Sequence, residues 1–229
     1  MAGTARTTSD SKSSNGIGEH MNIGGIEHER LDNGFIRQVE PAPYTYTPDY
    51  ANAQSTTEAM SYLRLGIIAR EMGYDALTGA NVIELGPGSG VMMEVMRRHC
   101  RGVDGFDLAQ THYVTVSDDE AKRRKWDLLV ACDVLEHFPK LESLFDYNFD
   151  WAYLSTPCRP EAIDWNELAG WRHFKPDEHL WYFSRDELAA WFEQHGYEVK
   201  YAGHAEDLIR DRWDRSKGNI SSYVIKRRE

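Results

Sequence analysis

At 229 residues and 26.3 kDa the chain has the length of one domain with appendages, enough to bury a substantial core. Its 26 Lys and Arg against 37 Asp and Glu give a net charge of -11. That weighs against a nucleic-acid partner, because phosphate backbones are held by clustered basic side chains. The runs Lys122–Lys125 and Lys226–Arg228 read as solvated surface. No apolar run approaches the ~20 residues that span a bilayer, and the N-terminus shows no apolar leader core. Cys100, Cys132 and Cys158 form no C-x-x-C and cannot all pair. The expectation is a soluble cytoplasmic protein in a reducing compartment.

Residues 1–22 are rich in Ser, Thr and Gly and are expected to be a disordered tail. From Ile23 to Tyr50 the chain is irregular and aromatic, with Tyr44, Tyr46 and Tyr50 around Pro41, Pro43 and Pro48. A helix follows, capped by Ser55 with Glu58, with Met60, Leu63, Ile67, Ile68 and Met72 on one face and Gly73 at its end. Residues 23–79 thus read as an N-terminal cap, and residues 80–229 as the main domain.

From Asn81 strand and helix patterns alternate. Strands are predicted near 81–85, 101–107, 112–116, 126–132, 150–155, 197–202 and 220–226. Helices are predicted near 89–99, 138–147 and 185–195, the last with Ser184 as N-cap and Glu187 three residues on. This is the pattern of an α/β fold, a doubly wound, mostly parallel sheet of seven strands. Between strands five and six, residues 157–184 form a long connection without clear periodicity.

Residues 82–90 read Val-Ile-Glu-Leu-Gly-Pro-Gly-Ser-Gly, a short apolar strand turning on Gly86, Gly88 and Gly90 into a segment of helical spacing. Such a turn brings bare backbone N–H groups and a helix N-terminus to a ligand. The dinucleotide fingerprint is Gly-x-Gly-x-x-Gly, whereas the spacing here is Gly-x-Gly-x-Gly with Glu84 ahead of it. A carboxylate there repels a pyrophosphate and suits an ammonium group, pointing to S-adenosylmethionine (SAM) rather than NAD.

At these residues the chain resembles the class I SAM-dependent methyltransferases. Three more segments match in order: Gly105-Phe106-Asp107; Trp126 to Phe138 with its Leu135-Glu136-His137; and Tyr153-Leu154-Ser155-Thr156-Pro157. The resemblance runs from about Ala80 to Lys226. It implies a Rossmann-like fold whose last strand is antiparallel, and SAM as cofactor. It further implies that Glu84 serves the methionine amino group, mostly through water or the loop backbone. Gly86, Pro87, Gly88 and Gly90 would carry the backbone approach, and Asp107 the ribose hydroxyls. Cys132 and Asp133, at the end of the fourth strand, would line the same side. The interval from Asp107 to Trp126 is too short for a full helix and strand, which leaves Asp118 or Asp119 as candidates for the adenine contact. Asp133, Glu136 and His137 resemble the spacing in metal-binding members, namely some ubiquinone-pathway and small-RNA 2′-O-methyltransferases. The reading preferred from sequence is metal-free, with Glu136 and His137 packed beneath the cofactor.

The 157–184 connection holds Trp165, Trp171, Phe174, Trp181, Tyr182 and Phe183 with His173 and His179. Aromatics at that density require burial or a ligand. It reads as a substrate wall and lid, with Tyr46, Tyr50, Trp171 and Trp181 facing the acceptor; a core-capping loop is the alternative. An acceptor hydroxyl needs a base, for which a histidine is suited. His179 and His173 come first and His137 third, while Arg159, Arg172 and Lys175 are available for an anionic group. The expected function is methyl transfer to a small-molecule acceptor, a hydroxyl of a sugar or phenolic compound. The alternatives are a small amine, an NAD-dependent oxidoreductase, or a non-catalytic module that keeps the SAM fold.

Overall fold

Apolar side chains at alternate positions of a few short strands organise the molecule, and helices cover both faces of the sheet they make. The structure, a computed structural model, describes residues 19–41, 57–109, 111–210 and 219–229. In chain order come β1 (Glu19–Ile23), β2 (Ile26–Arg30), β3 (Ile36–Gln38), α1 (Glu58–Met72), α2 (Tyr74–Thr78), β4 (Asn81–Leu85), α3 (Val91–Arg97) and β5 (Gly102–Phe106). Then follow α4 (Asp118–Arg123), β6 (Lys125–Cys132), two 3-10 turns at Leu135–His137 and Leu141–Asp146, and β7 (Asn148–Arg159). The chain ends with α5 (Trp165–Gly170), β8 (Trp181–Ser184), α6 (Arg185–Gln194), β9 (Tyr197–Gly203), a 3-10 turn at Ala205–Leu208 and β10 (Ile220–Arg227).

The central strands lie in the order β5, β4, β6, β7, β10, β9. The first four are parallel, with Val82 opposite Val103 on one side and Leu128 on the other, and Leu129 opposite Ala152. β10 runs antiparallel to both β7 and β9, as the resemblance implied. Because side chains alternate along a strand, Val82, Leu128, Val130, Tyr153 and Val224 face α1 and α3, meeting Leu65, Ile68, Met92 and Met96. Ile83, Leu85, Leu129, Ala152, Leu154 and Tyr223 face the other way, onto Leu188, Trp191 and Phe192 of α6. The chain leaves β4 toward β5 and returns to β6 on β4's other side. The carboxyl ends of β4 and β6 therefore flank the switch point, where open α/β sheets place ligands.

Six of the seven predicted strands form, and the third does not. Residues 112–116 are turn, fastened to β5 by the Thr115 and Val116 amides on the Gly105 carbonyl (2.9 and 3.3 Å). The interval is spent instead on α4, whose N-cap Ser117 accepts from the Glu120 amide. The helix predicted at 138–147 is replaced by the two 3-10 turns, whereas Ser184 and Glu187 form the predicted capping box of α6. Thr57, not Ser55, caps α1, accepting from the Met60 amide at 3.1 Å; Ser55 lies outside the described residues. Of the tail expected over residues 1–22, Glu19–Asn22 belong to the strand Glu19–Ile23, and residues 1–18 lie outside the described residues.

The N-terminal strands are attached to the 157–184 connection. β3 pairs antiparallel with β8, Ile36 opposite Tyr182, and β8 pairs parallel with the last two residues of β7. Ile36, Ile163, Trp165, Leu168, Trp171 and Tyr182 make a separate small core there. Arg159 is sealed beneath it, its side chain fully buried, donating to Gly34 O and to both carboxylate oxygens of Glu187.

Candidate functional site

Three left-handed residues in five build the loop after β4: Gly86, Gly88 and Gly90 have φ of 64, 52 and 74°. A side chain at Gly86 would strike Val134, its Cβ falling 2.6 Å from Cγ2, and one at Gly90 would enter the Tyr113 ring. The Gly86 amide donates to Phe106 O at 2.8 Å, tying the loop to the end of β5. One residue beyond, the Asp107 carboxylate accepts from the Ala109 amide at 2.9 Å, and partial burial raises its pKa.

Two polar atoms at this loop are buried without a partner: Glu84 Oε2 and Ser89 Oγ. Glu84 is 3% exposed, and burial pushes its carboxyl up to about 8 against the opposing pull of Arg64 and Arg97. A buried, unsatisfied carboxyl costs about 1–3 kcal/mol or more, and an ammonium group beside it would recover that. The residues present therefore fit SAM. The left-handed glycines open the backbone, Asp107 offers acceptor oxygens at the strand end, and Glu84 and Ser89 lack partners where a cationic, hydroxylated ligand belongs.

The floor comes from β6 and the turn after it. Cys132 ends the strand, its thiol pushed up to about 12 by burial, and so stays protonated. Asp133 has a φ of 55°, the only positive value at a non-glycine position among the described residues; such conformations cost on the order of 1 kcal/mol or more and gather at functional sites. Its carboxylate meets Arg210 at 3.2 Å. Glu136 is 1% exposed; Oε2 accepts from Thr156 Oγ1 at 2.8 Å while Oε1 has no hydrogen-bond partner. Burial, then the charge of Asp133, pushes its carboxyl up to about 8.

The 157–184 connection delivers His173 and His179 to this floor, where His137 already stands in the turn after β6. The Nδ1 of His137 donates to Glu178 O at 2.8 Å, and the Nδ1 of His179 donates to His173 O at 3.0 Å. The two rings meet edge-on with centroids 4.9 Å apart. His173 Nε2 donates to Asn219 Oδ1 at 2.7 Å, and Asn219 Nδ2 in turn donates to Asp207. Burial lowers all three histidines. His179 is taken furthest, to about 3, helped by the charges of His137 and Lys175.

The structure thus brings His137 and His179 together with Glu136, while His173 is linked to His179 through its backbone carbonyl. Trp171 and Trp181 are each 7% exposed. Trp171 packs in the small third core, and Trp181 Nε1 donates to Phe138 O at 2.7 Å. Both side chains are packed in the interior, and β8 anchors the connection to β3 and β7. Tyr46 and Tyr50 lie outside the described residues. Asp118 accepts from Lys122 and from Tyr147 Oη (2.7 and 2.9 Å), which gives it a structural role.

Sequence reasoning missed a buried ion network behind the floor. Arg64 of α1 donates from Nε and Nη2 to the two oxygens of Glu206, both at 2.8 Å; Tyr153 Oη donates to the same carboxylate, as does Arg210. A signal for it existed. Arg64 stands four residues from both Met60 and Ile68, on the apolar face of an amphipathic helix, where an unpaired charge is costly.

A family model described as a methyltransferase domain matches residues 57–202. No curated protein matches the chain in sequence. Among solved structures, a provisionally assigned methyltransferase from Bacillus halodurans superposes with a TM-score of 0.52 at 13% identity, covering 74% of this chain and 99% of that one. A provisionally assigned sarcosine dimethylglycine methyltransferase from Galdieria sulphuraria gives 0.53 at 12% identity, over 74% and 86%. An S-adenosylmethionine-dependent methyltransferase from Clostridium acetobutylicum gives 0.52 at 8% identity, over 77% and 94%. At these identities the likeness concerns the fold.

Proposed function

We propose that this chain, which belongs to the methyltransferase-domain family and is a SAM-dependent methyltransferase, methylates a hydroxyl of a small molecule such as a sugar or phenolic compound. The observation carrying this reading is a set of buried or half-buried histidines held at low pKa, with His137 and His179 ring to ring beside Glu136 in the turn whose Val134 lies against Gly86, and His173 tied to His179 through its carbonyl. An amine acceptor needs no such group once deprotonated, whereas a hydroxyl must lose a proton as its oxygen attacks.

The residues divide the work. Gly86, Gly88 and Gly90 would let the backbone close on SAM, Glu84 would hold its amino group and Asp107 its ribose. SAM held there would supply an activated methyl group, carried on a sulfonium sulfur that is a good leaving group. Binding both reactants in line is the larger part of catalysis for so activated a donor. His173 takes the hydroxyl proton. It is half-buried, and the Asn219–Asp207 chain fixes its ring with Nε2 protonated, leaving Nδ1 as the basic atom. His179 had a slight edge from sequence, but a pKa of about 3 makes it too weak a base to prefer. No helix among the described residues is long and apolar enough to cross a membrane, and Cys100, Cys132 and Cys158 are free.

The test uses isotope-labelled SAM with a panel of sugars, phenols and small amines, and locates the added methyl by mass spectrometry and NMR. O-methyl products are expected. His173→Ala should lower turnover by roughly 10²–10⁴-fold and leave S-adenosylhomocysteine affinity unchanged. Products methylated only at nitrogen would overturn the reading.

A further inference from the structure

β3 reaches the 157–184 connection with one buried polar side chain. Gln38 is 4% exposed, and its Nε2 donates to Pro176 O at 2.6 Å and to His179 O at 2.7 Å, partners 138 and 141 positions away. Both partners are carbonyls, so the amide must present its nitrogen to them and turn Oε1 away. The Gln38 backbone amide adds a third bond, to Leu180 O at 3.0 Å. One residue of β3 thus holds three carbonyls of a single short turn.

The other bonds of that turn run to the histidine rings. The Glu178 and His179 amides donate to Lys175 O at 2.9 and 2.7 Å, and the His179 ring donates to His173 O. Glu178 O accepts from the His137 ring, and the Leu180 amide donates to Glu136 O at 2.8 Å. Residues 176–180 are therefore gripped from two sides, by Gln38 and by the turn after β6. Taking the Gln38 amide away would leave Pro176 O and His179 O short of a donor, and buried carbonyls demand one. The turn would shift toward water to find it. Such a shift carries His179 along, and His173 through the carbonyl that the His179 ring holds.

We propose that Gln38 is a positioning residue, its side-chain amide clamping the 175–180 turn so that His173 and His179 are set against the acceptor; the part of His173 as base rests on the hydroxyl reading above. β3 lies ahead of the methyltransferase domain at 57–202, so a strand outside that domain completes the acceptor side. The rings themselves report the clamp. Burial lowers His137, His173 and His179, the last to about 3, and the charges facing them are those of Asp133, Glu136, Glu178, Arg172 and Lys175. Gln38→Met keeps the length of the side chain, removes both donors and leaves every one of those charges in place. A rise of these rings toward 6.5 in that variant then measures lost burial.

The experiment follows the imidazole resonances of the isotope-labelled full chain by NMR from about pH 5 to 9. In Gln38→Met the His173 and His179 titrations should move up by about one pH unit or more. In Arg37→Met, which removes the ion pair of the same strand to Glu29, they should stay. S-adenosylhomocysteine-induced thermal stabilisation should be equal in all three proteins and reports the methyltransferase reading separately. With any sugar or phenol that is methylated, kcat should fall at least tenfold in Gln38→Met while KM for SAM is unchanged. Unmoved titrations in folded Gln38→Met, or an equal rise in Arg37→Met, overturn the clamp, and an unchanged kcat beside raised titrations overturns its positioning role. Products methylated only at nitrogen overturn the base role of His173, while raised titrations still support the clamp. Should Gln38→Met fail to fold, hydrogen exchange on the wild-type chain decides: the Gln38 and His179 amides should open together, and His179 protection that outlasts the opening of Gln38 overturns the proposal.

Discussion

Removing the Glu206 carboxylate should be among the most damaging single changes in the molecule, because it neutralises a buried arginine. The Arg64 and Glu206 side chains are 3% and 0% exposed and joined by two 2.8 Å hydrogen bonds. Glu206→Ala strands a guanidinium in the sheet–helix interface, and breaking a buried pair from one side costs about 3–5 kcal/mol. The titration of the same group gives a second figure. Burial raises the Glu206 pKa, but the charge and hydrogen bonds of Arg64, then Arg210, outweigh it and bring it from 4.5 to about 2. At 1.36 kcal/mol per pH unit that corresponds to about 3 kcal/mol, in agreement with the first figure. At about 2–4 °C per kcal/mol for a chain of this size, the midpoint should fall by roughly 6–20 °C. The folded-state pKa is depressed, so this contribution is present above about pH 4.5 and lost as pH falls toward 2. Urea unfolding of wild type and Glu206→Ala from pH 7 to 3 measures both effects, and the gap between the two proteins should narrow toward acid. Replacing both partners, Arg64→Met with Glu206→Leu, should recover most of the loss, because an apolar pair leaves no stranded charge. A loss under 1 kcal/mol, or a double variant no better than the single one, would refute the reasoning.

Gly86→Ala should cut S-adenosylhomocysteine affinity at least tenfold by calorimetry, since the residue sits at φ 64° with its Cβ 2.6 Å from Val134 Cγ2; unchanged affinity would displace the loop from the site. Glu84, raised to about 8 by burial, has the opposite linkage sign to Glu206: its contribution is complete below about pH 4.5 and declines as pH rises to 8. An ammonium beside it should expel that proton, so binding heats near pH 7 should vary with buffer ionisation enthalpy. Glu84→Gln should abolish the variation, and persistence of the same proton release in that variant would assign it elsewhere.

The sequence alone was enough for what depends on neighbours along the chain. Glycines at 86, 88 and 90 announce left-handed backbone because side chains are barred from it, and Val82–Leu85 reads as a buried strand because it is short and continuously apolar. The Ser184–Glu187 cap was legible because both halves lie within one helical turn. What failed were segments whose conformation is decided by space: 112–116 reads as a strand, yet it makes only two amide bonds to Gly105 because the short interval is given to α4. Tertiary structure alone decided that Trp171 fills the small core against β3 and Trp181 the main core, and that Arg64 finds Glu206 142 residues away. It also decided that His179 joins Glu136 and His137 while Asp133 turns to Arg210. Side-chain convergence across more than forty residues is set by how β7, β8 and the wall between them pack on the sheet, and no local periodicity encodes that distance.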